Sequence, residues 1–187
     1  MNAIHRKVCN SRRWGRAVRE SIIPWTLDDI ELGDEVLEIG PGFAATTRVL
    51  AQRPGRLTAL EIDPASAQRL TDELGERVRV MEGDGTAMPF PDNSYSGVVC
   101  FTMLHHVPAP ELQDRLFAEA VRVLRPGGTF AGSDSQPSLV MRLIHIGDTL
   151  VPVPPDTLAQ RLTDAGLAEV DVTARPGRVR FRGVKPV

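Results

Sequence analysis

The sequence predicts an α/β fold in which a largely parallel, doubly wound sheet lies between two layers of helices. Three observations carry this. Short apolar runs alternate with amphipathic stretches in the order β-α-β-α-β-loop-β-α-β-α-β-β. Residues 97–101 are almost continuously apolar, as in a strand covered on both faces. A length of 187 residues suits one core and leaves little chain for a second.

Residues 3–23 place Ile4, Val8, Ala17, Val18 and Ile22 at near-helical spacing, so one or two amphipathic helices should precede Pro24. A polar connection over 28–34 leads to the first strand at 35–39, which Gly40-Pro41-Gly42 closes. Helix character covers 46–52, with Pro54-Gly55 as its stop. The second strand spans 57–62. Asp63 as N-cap and Pro64 at the first helical position open a helix that runs to about Leu74 and ends at Gly75. A third strand at 78–81, a long polar loop over 83–96 and the apolar fourth strand follow. The helix over 110–124 has Leu112, Leu116, Ala120, Val123 and Leu124 on its inner stripe. Pro126-Gly127-Gly128 breaks it before the fifth strand at 129–132. Residues 139–146 are apolar and ambiguous. Asp156 is expected to cap a helix ending near Ala165-Gly166. Two last β-like segments, 168–173 and 179–184, flank Arg175-Pro176-Gly177-Arg178 as an antiparallel hairpin.

Ligands of such sheets bind beyond the carboxyl ends of the strands, where the strand order reverses. That rim carries residues 38–43, 61–63, 83–85 and 101–106. Gly40 and Gly42 permit a tight turn and close approach of a ligand to the backbone, and the helix start behind them favours an anionic group. Glu61, at the end of the second strand, is placed to accept both hydroxyls of a ribose. The run Gly40-Pro41-Gly42-Phe43-Ala44-Ala45 also satisfies a dinucleotide fingerprint, so an NAD-binding oxidoreductase is an alternative. Against it, Glu38 sets a carboxylate where a pyrophosphate would lie and suits an ammonium instead. Asp84, between Gly83 and Gly85, offers a carboxylate to an adenine amino group beside an open amide. No substrate domain for hydride chemistry is visible.

In order and spacing, five segments resemble the class I S-adenosylmethionine-dependent methyltransferases. They are Val36-Leu37-Glu38-Ile39-Gly40-Pro41-Gly42, Leu60-Glu61-Ile62-Asp63, Gly83-Asp84-Gly85-Thr86-Ala87-Met88-Pro89-Phe90, Leu104-His105-His106-Val107 and Leu124-Arg125-Pro126-Gly127-Gly128. The resemblance covers roughly residues 33–185, leaving residues 1–32 as a basic helical arm before a methyltransferase domain over 33–187. It implies a Rossmann-like, seven-stranded sheet whose last strand is antiparallel. It further implies S-adenosylmethionine as cofactor, with S-adenosylhomocysteine as product. Glu61 would then bind the ribose, Ile62 pack on adenine, Asp84 take the adenine amino group and Gly85 present its amide. Glu38, Gly40 and the Phe101 carbonyl would hold the methionine end, with Pro41, Gly42, Gly83 and Thr102 completing the cradle. Two departures stand out: Ala44 replaces a third glycine, and Tyr95-Ser96 replaces an aromatic followed by Asp, which puts the order of the preceding loop in question.

The implied activity is methyl transfer to an O, N or C atom of a small organic acceptor, with a non-catalytic cofactor-binding module as the alternative. His106 and His105 are the candidate general bases, because they follow the fourth strand on the rim and titrate near neutrality; their competing role is packing at a helix start. Tyr95 is a candidate for positioning the acceptor or covering the nucleotide. Residues 2–25 and 135–155 flank the expected core and should set acceptor specificity, with Trp14 and Trp25 as gates. Residues 138–147 suit either a cover over a hydrophobic acceptor or a core-facing helix. His5 and His145 have no assignable place.

Composition limits the remaining classes. A hydrophobic fraction of 42% excludes a wholly disordered chain, and no apolar run approaches the ~18 residues of a membrane span. The N-terminus lacks an apolar secretory segment, and its single serine argues against a transit peptide. Cys9 and Cys100 are the only cysteines, too few for a thiol metal site, so neither a disulfide nor a metal is expected and the chain reads as cytoplasmic. Residues 1–20 hold six Lys/Arg against Glu20 alone, and residues 175–187 hold five against none. Basic ends suit tails folded onto an acidic body, or an anionic partner. Nucleic acid is not the expected partner, since Phe101-Thr102-Met103-Leu104 stands where base-amino methyltransferases carry an Asn/Asp-Pro-Pro-aromatic motif. Oligomeric state leaves no signal in the sequence.

Overall fold

The computed structural model describes residues 2–53 and 55–187. Its strands are β1 (Glu35–Ile39), β2 (Arg56–Glu61), β3 (Val78–Glu82), β4 (Tyr95–Phe101), β5 (Leu124–Ser135), β6 (Ala168–Arg175) and β7 (Arg178–Val184). They form one sheet in the order β3-β2-β1-β4-β5-β7-β6. Strands β1 to β5 pair in parallel, whereas β7 is antiparallel to both of its neighbours. The predicted doubly wound sheet with a reversed last strand is therefore present. The order reverses between β1 and β4, which opens the crevice at their carboxyl ends.

The helices are α1 (Ala3–Cys9), α2 (Arg12–Ala17), α3 (Ile23–Leu27), α4 (Thr47–Leu50), α5 (Pro64–Leu74), α6 (Pro110–Val123), α7 (Leu139–Ile144) and α8 (Pro155–Asp164). Alternation along the central strands sends side chains to two separate cores. Leu37, Ile39, Val98 and Cys100 join Phe117 of α6, Leu158 and Leu162 of α8, Phe130 and Phe181. Val36, Val99, Phe101 and Ala131 face the other way, onto Val18, Ile22, Ile23 and Leu27. In the first core the rings of Phe130 and Phe181 meet edge-on at 5.1 Å, a favourable aromatic geometry.

Local signals explain several boundaries. Asp63 caps α5 by accepting from the Ser66 amide at 2.8 Å, and Pro64 opens it as expected. Pro54 of the anticipated stop after α4 lies outside the described residues. Other expectations need correction. Pro24 does not end the N-terminal helices; it sits in the first turn of α3. Proline has no N–H to donate to the preceding turn, and the chain absorbs this by widening to a π-helical turn over Val18–Ile22, with the Ile23 amide donating to Val18. The second half of the N-terminal segment is thereby core rather than flank. Asp156 is not a cap: Pro154 holds that position and Asp156 lies in the first turn of α8. Tyr95 begins β4 instead of sitting in a loop; it is buried edge-on against Phe90 at 5.2 Å, at the amino end of the strand. It can neither position an acceptor nor cover a nucleotide at the opposite rim.

The loop before β4 is ordered by other means than the absent Asp. Ser96 Oγ accepts from the Glu35 amide at 2.9 Å and lies 2.8 Å from the Leu32 carbonyl. Arg122 donates to the Met88 and Phe90 carbonyls and pairs with Asp92, while Glu119 accepts from the Met88 amide. The basic C-terminal strand folds back, but onto aromatic rings: Arg175 stacks 3.8 Å above Trp25, and Arg178 approaches Trp14 at 5.8 Å. The ambiguous segment 139–146 is mostly α7, which buries Met141 and exposes Leu139, Val140 and Leu143. It is not a core-facing helix.

Candidate active site

The turn after β1 takes three left-handed backbone positions: Gly40 (φ +67°), Gly42 (+54°) and Ala44 (+62°). At Gly40 a Cβ would meet the Met103 side chain at 3.0 Å, so glycine serves both conformation and space. Ala44 occupies a backbone region that L-residues seldom adopt, which accounts for the glycine often found there. Beneath this turn Glu38 is buried to 1% exposure. Thr46, at the start of α4, donates its hydroxyl to Glu38 Oε1, while Oε2 has no hydrogen-bond partner among the described residues. Burial pushes the carboxyl up to about 7, with the Thr46 and Thr47 hydroxyls opposing the rise and the Glu61 charge adding to it.

Glu61 ends β2 and ties two loops together. Its Oε2 accepts from the Gly42 amide and its Oε1 from the Asp63 amide, both at 3.0 Å. These bonds fix the carboxylate while leaving lone pairs for a diol. Next to it Ile62 is 66% exposed, an apolar side chain held in solvent at the rim. After β3, Asp84 accepts from the Thr86 amide through Oδ1 at 2.8 Å and remains exposed, with acceptor capacity left for a further donor. A Cβ on Gly85 would press on Ile39 at 3.0 Å and Leu116 at 3.2 Å, which keeps the backbone there close to the core. Phe101 closes β4, and Thr102 follows at φ +50° with its amide bonded to the Ser133 carbonyl.

The cleft beside the turn is walled by Gly40, Thr46, Thr102 and His106 from the sheet side and by His5 and Trp14 from the N-terminal helices. Trp14 thus stands at the cleft as expected, whereas Trp25 stacks under Arg175 away from it. A larger hollow, bordered by Ile30, Leu32, Val36 and Leu57, opens near the amino ends of β1 and β2 and holds none of these groups. The two predicted base candidates separate. His106 faces the cleft, and burial followed by the neighbouring histidine charges depresses its imidazole to about 3. His105 is buried behind it, with Nδ1 2.5 Å from Asp134 Oδ1 and its amide donating to Asp134 Oδ2.

Sequence reasoning missed Thr46, which carries no signal beyond its position at a helix start. It also left His5 and His145 unplaced, and both lie against this site: their rings are 4.2 Å apart, and each is about 5 Å from His106. Asn2 ties the arm to the far loop, with its amide nitrogen donating to the Ile144 and Ile146 carbonyls and its backbone N–H to Asp148.

A doubly wound sheet with this turn, a clamped carboxylate at the end of β2 and a buried acid at the switch point fits the class of nucleoside-cofactor-binding proteins. Comparison with known proteins makes this specific. The family described as "Methyltransferase domain" matches residues 37–132, more than half of the chain. The chain belongs to that family, the class I S-adenosylmethionine-dependent methyltransferases. It is 28% identical over 167 residues to an erythromycin 3''-O-methyltransferase of Saccharopolyspora erythraea, covering 76% of this chain and 53% of that protein. A fatty-acid O-methyltransferase of Mycolicibacterium smegmatis is 32% identical over 114 residues, covering 58% of this chain and 39% of that protein. The chain spans about half the length, or less, of these curated relatives. A SAM-dependent methyltransferase from Aquifex aeolicus shares the fold with a TM-score of 0.72 at 17% identity, covering 98% of each chain.

S-adenosylmethionine is the cofactor of this family, and the residues present fit it. Its ammonium would supply the donor that the buried Glu38 Oε2 lacks. The clamped Glu61, the exposed Ile62 and Asp84 match a ribose, an adenine face and an adenine amino group in that order along the rim.

Proposed function

We propose that this chain transfers the methyl group of S-adenosylmethionine to a small organic acceptor, entering between the N-terminal helices and the turn after β4. The observation that carries the reading is Glu38: a fully buried carboxylate with an unpartnered oxygen is unfavourable unless a cation completes it. The bound cofactor supplies an activated methyl on a sulfonium. The chain's own task is to hold and exclude. Glu38 and Thr46 fix one end of the cradle, and Glu61 fixes the other through the Gly42 and Asp63 amides. Alignment of acceptor and methyl is worth roughly 7–11 kcal/mol in such displacements, so a rigid turn matters more here than a strong base. His106 lines the cleft wall beside the entering acceptor, and the His105–Asp134 pair holds the turn that presents it. The small-molecule O-methyltransferases among the relatives support an acceptor of that size.

Calorimetry with S-adenosylhomocysteine tests this. Saturable micromolar binding is expected, weakened by at least about 100-fold in Glu61→Ala, which removes the charged acceptor of two ribose hydroxyls at roughly 1.5–3 kcal/mol each. Absence of binding to the folded wild type refutes the reading.

A further inference from the structure

All four histidines of the chain, at positions 5, 105, 106 and 145, converge on one spot although they come from three distant segments. We propose that His5, His106 and His145 form a divalent transition-metal site of the zinc type, with one coordination position open toward the cleft. One ligating nitrogen from each of the three lies within 4.8 Å of the others. A tetrahedral zinc with bonds of about 2.0–2.1 Å sets its nitrogens roughly 3.4 Å apart, so side-chain rotations of order 1 Å close the set around an ion.

The hydrogen bonds around the rings select the free nitrogens. His145 Nδ1 lies 2.7 Å from the Met141 carbonyl, which only accepts, so the proton sits on Nδ1 and the lone pair on Nε2. Nε2 is buried without a hydrogen-bond partner in a residue only 4% exposed. A histidine retained for packing would have that nitrogen satisfied. His5 Nδ1 faces Asp148 Oδ2 at 3.2 Å, and the same oxygen accepts from the Asn2 amide at 2.9 Å. This is the carboxylate–histidine arrangement that orients a metal ligand and raises its basicity, with His5 Nε2 left to coordinate. His105 stays outside the set because its ring nitrogens do not converge with those of the other three; it forms the wall behind His106.

Three imidazoles favour zinc, copper or nickel over the oxygen-seeking magnesium and calcium. Three protein ligands, two of them lining the cleft with Gly40 and Thr102, leave the fourth position for water or for an oxygen of a cleft ligand. The reading of the sequence expected no metal, because it counted only the two cysteines; the histidines are brought together by the fold alone.

The test uses the full chain without a polyhistidine tag, stripped with a chelator. Titration with zinc should show one equivalent bound, and cobalt should give the intense visible spectrum of a four-coordinate ion, altered by acetohydroxamate at the open position. His145→Ala and His5→Ala should each weaken binding at least ~100-fold, and Asp148→Asn about 10–100-fold, while Cys9→Ser leaves it unchanged. Melting curves identify the folded variants; should His145→Ala not fold, His5→Ala and Asp148→Asn decide. The proposal is overturned by no stoichiometric uptake in the folded wild type, by uptake indifferent to folded histidine variants, or by a cobalt spectrum blind to acetohydroxamate. None of these readouts involves methyl transfer, so they stand apart from the Glu61 test.

Discussion

Replacing Glu38 with Gln separates the cost of a buried charge from its use. The carboxyl has an ordinary value of 4.5 and is raised to about 7 in the folded chain. A raised carboxyl means that the folded state binds its proton more tightly than the unfolded state. Stability therefore falls as pH rises from 4.5 through 7 and levels off above it. With these two values, the ligand-free wild type should lose about 2 kcal/mol between pH 5.5 and 8.5 through this one group. Glu38→Gln has no proton to lose, so the loss should vanish from its profile. Subtracting the two pH profiles cancels any constant penalty for the buried amide. Urea unfolding at the two pH values measures the difference, and thermal melting should show it as about 4–8 °C for a chain of this size. The same variant should bind S-adenosylhomocysteine roughly 10–100-fold more weakly at pH 8.5, having lost a hydrogen bond to a charged group worth about 1.5–3 kcal/mol. Parallel pH profiles for variant and wild type would refute the raised carboxyl, and undiminished binding by the variant would refute its role in the cradle.

Three further outcomes are expected. Ile62→Asp should leave unfolding free energy within about 0.5 kcal/mol, because the side chain is 66% exposed, yet should weaken cofactor binding in calorimetry. Phe117→Ala removes a fully buried ring from the core beneath α6 and should cost about 3–5 kcal/mol in urea unfolding. Asp134→Ala leaves the buried His105 ring and amide without their acceptor and should cost roughly 1–3 kcal/mol in urea unfolding; full stability in that variant would show the contact to be dispensable.

Local chemistry was legible in the sequence where it acts over a few residues. The Asp63-Pro64 start of α5 needs only a cap and a fixed φ, and the helix begins where those two residues stand. The rim residues Glu38, Gly40, Glu61 and Asp84 were also readable, because a parallel sheet places strand ends together whatever its side chains do. Pro24 misled because a π-turn five residues long can absorb a missing donor, a solution that leaves no mark in residue types. Tyr95 misled because the polar loop before it gave no edge, so the strand's amino end lay two residues earlier than its apolar run suggested. The histidine cluster was out of reach for a different reason: His5 and His145 are brought together only when the N-terminal arm and the segment after α7 dock on the same rim.

That docking has a consequence for local stability. The seam between the first residues and the 144–148 loop is fastened by the three donors of Asn2, while the neighbouring helix α7 turns its leucine and valine side chains outward. A seam held by a few polar contacts can part without dismantling either apolar core. Amide hydrogen exchange should therefore find the first residues less protected than the strands behind them.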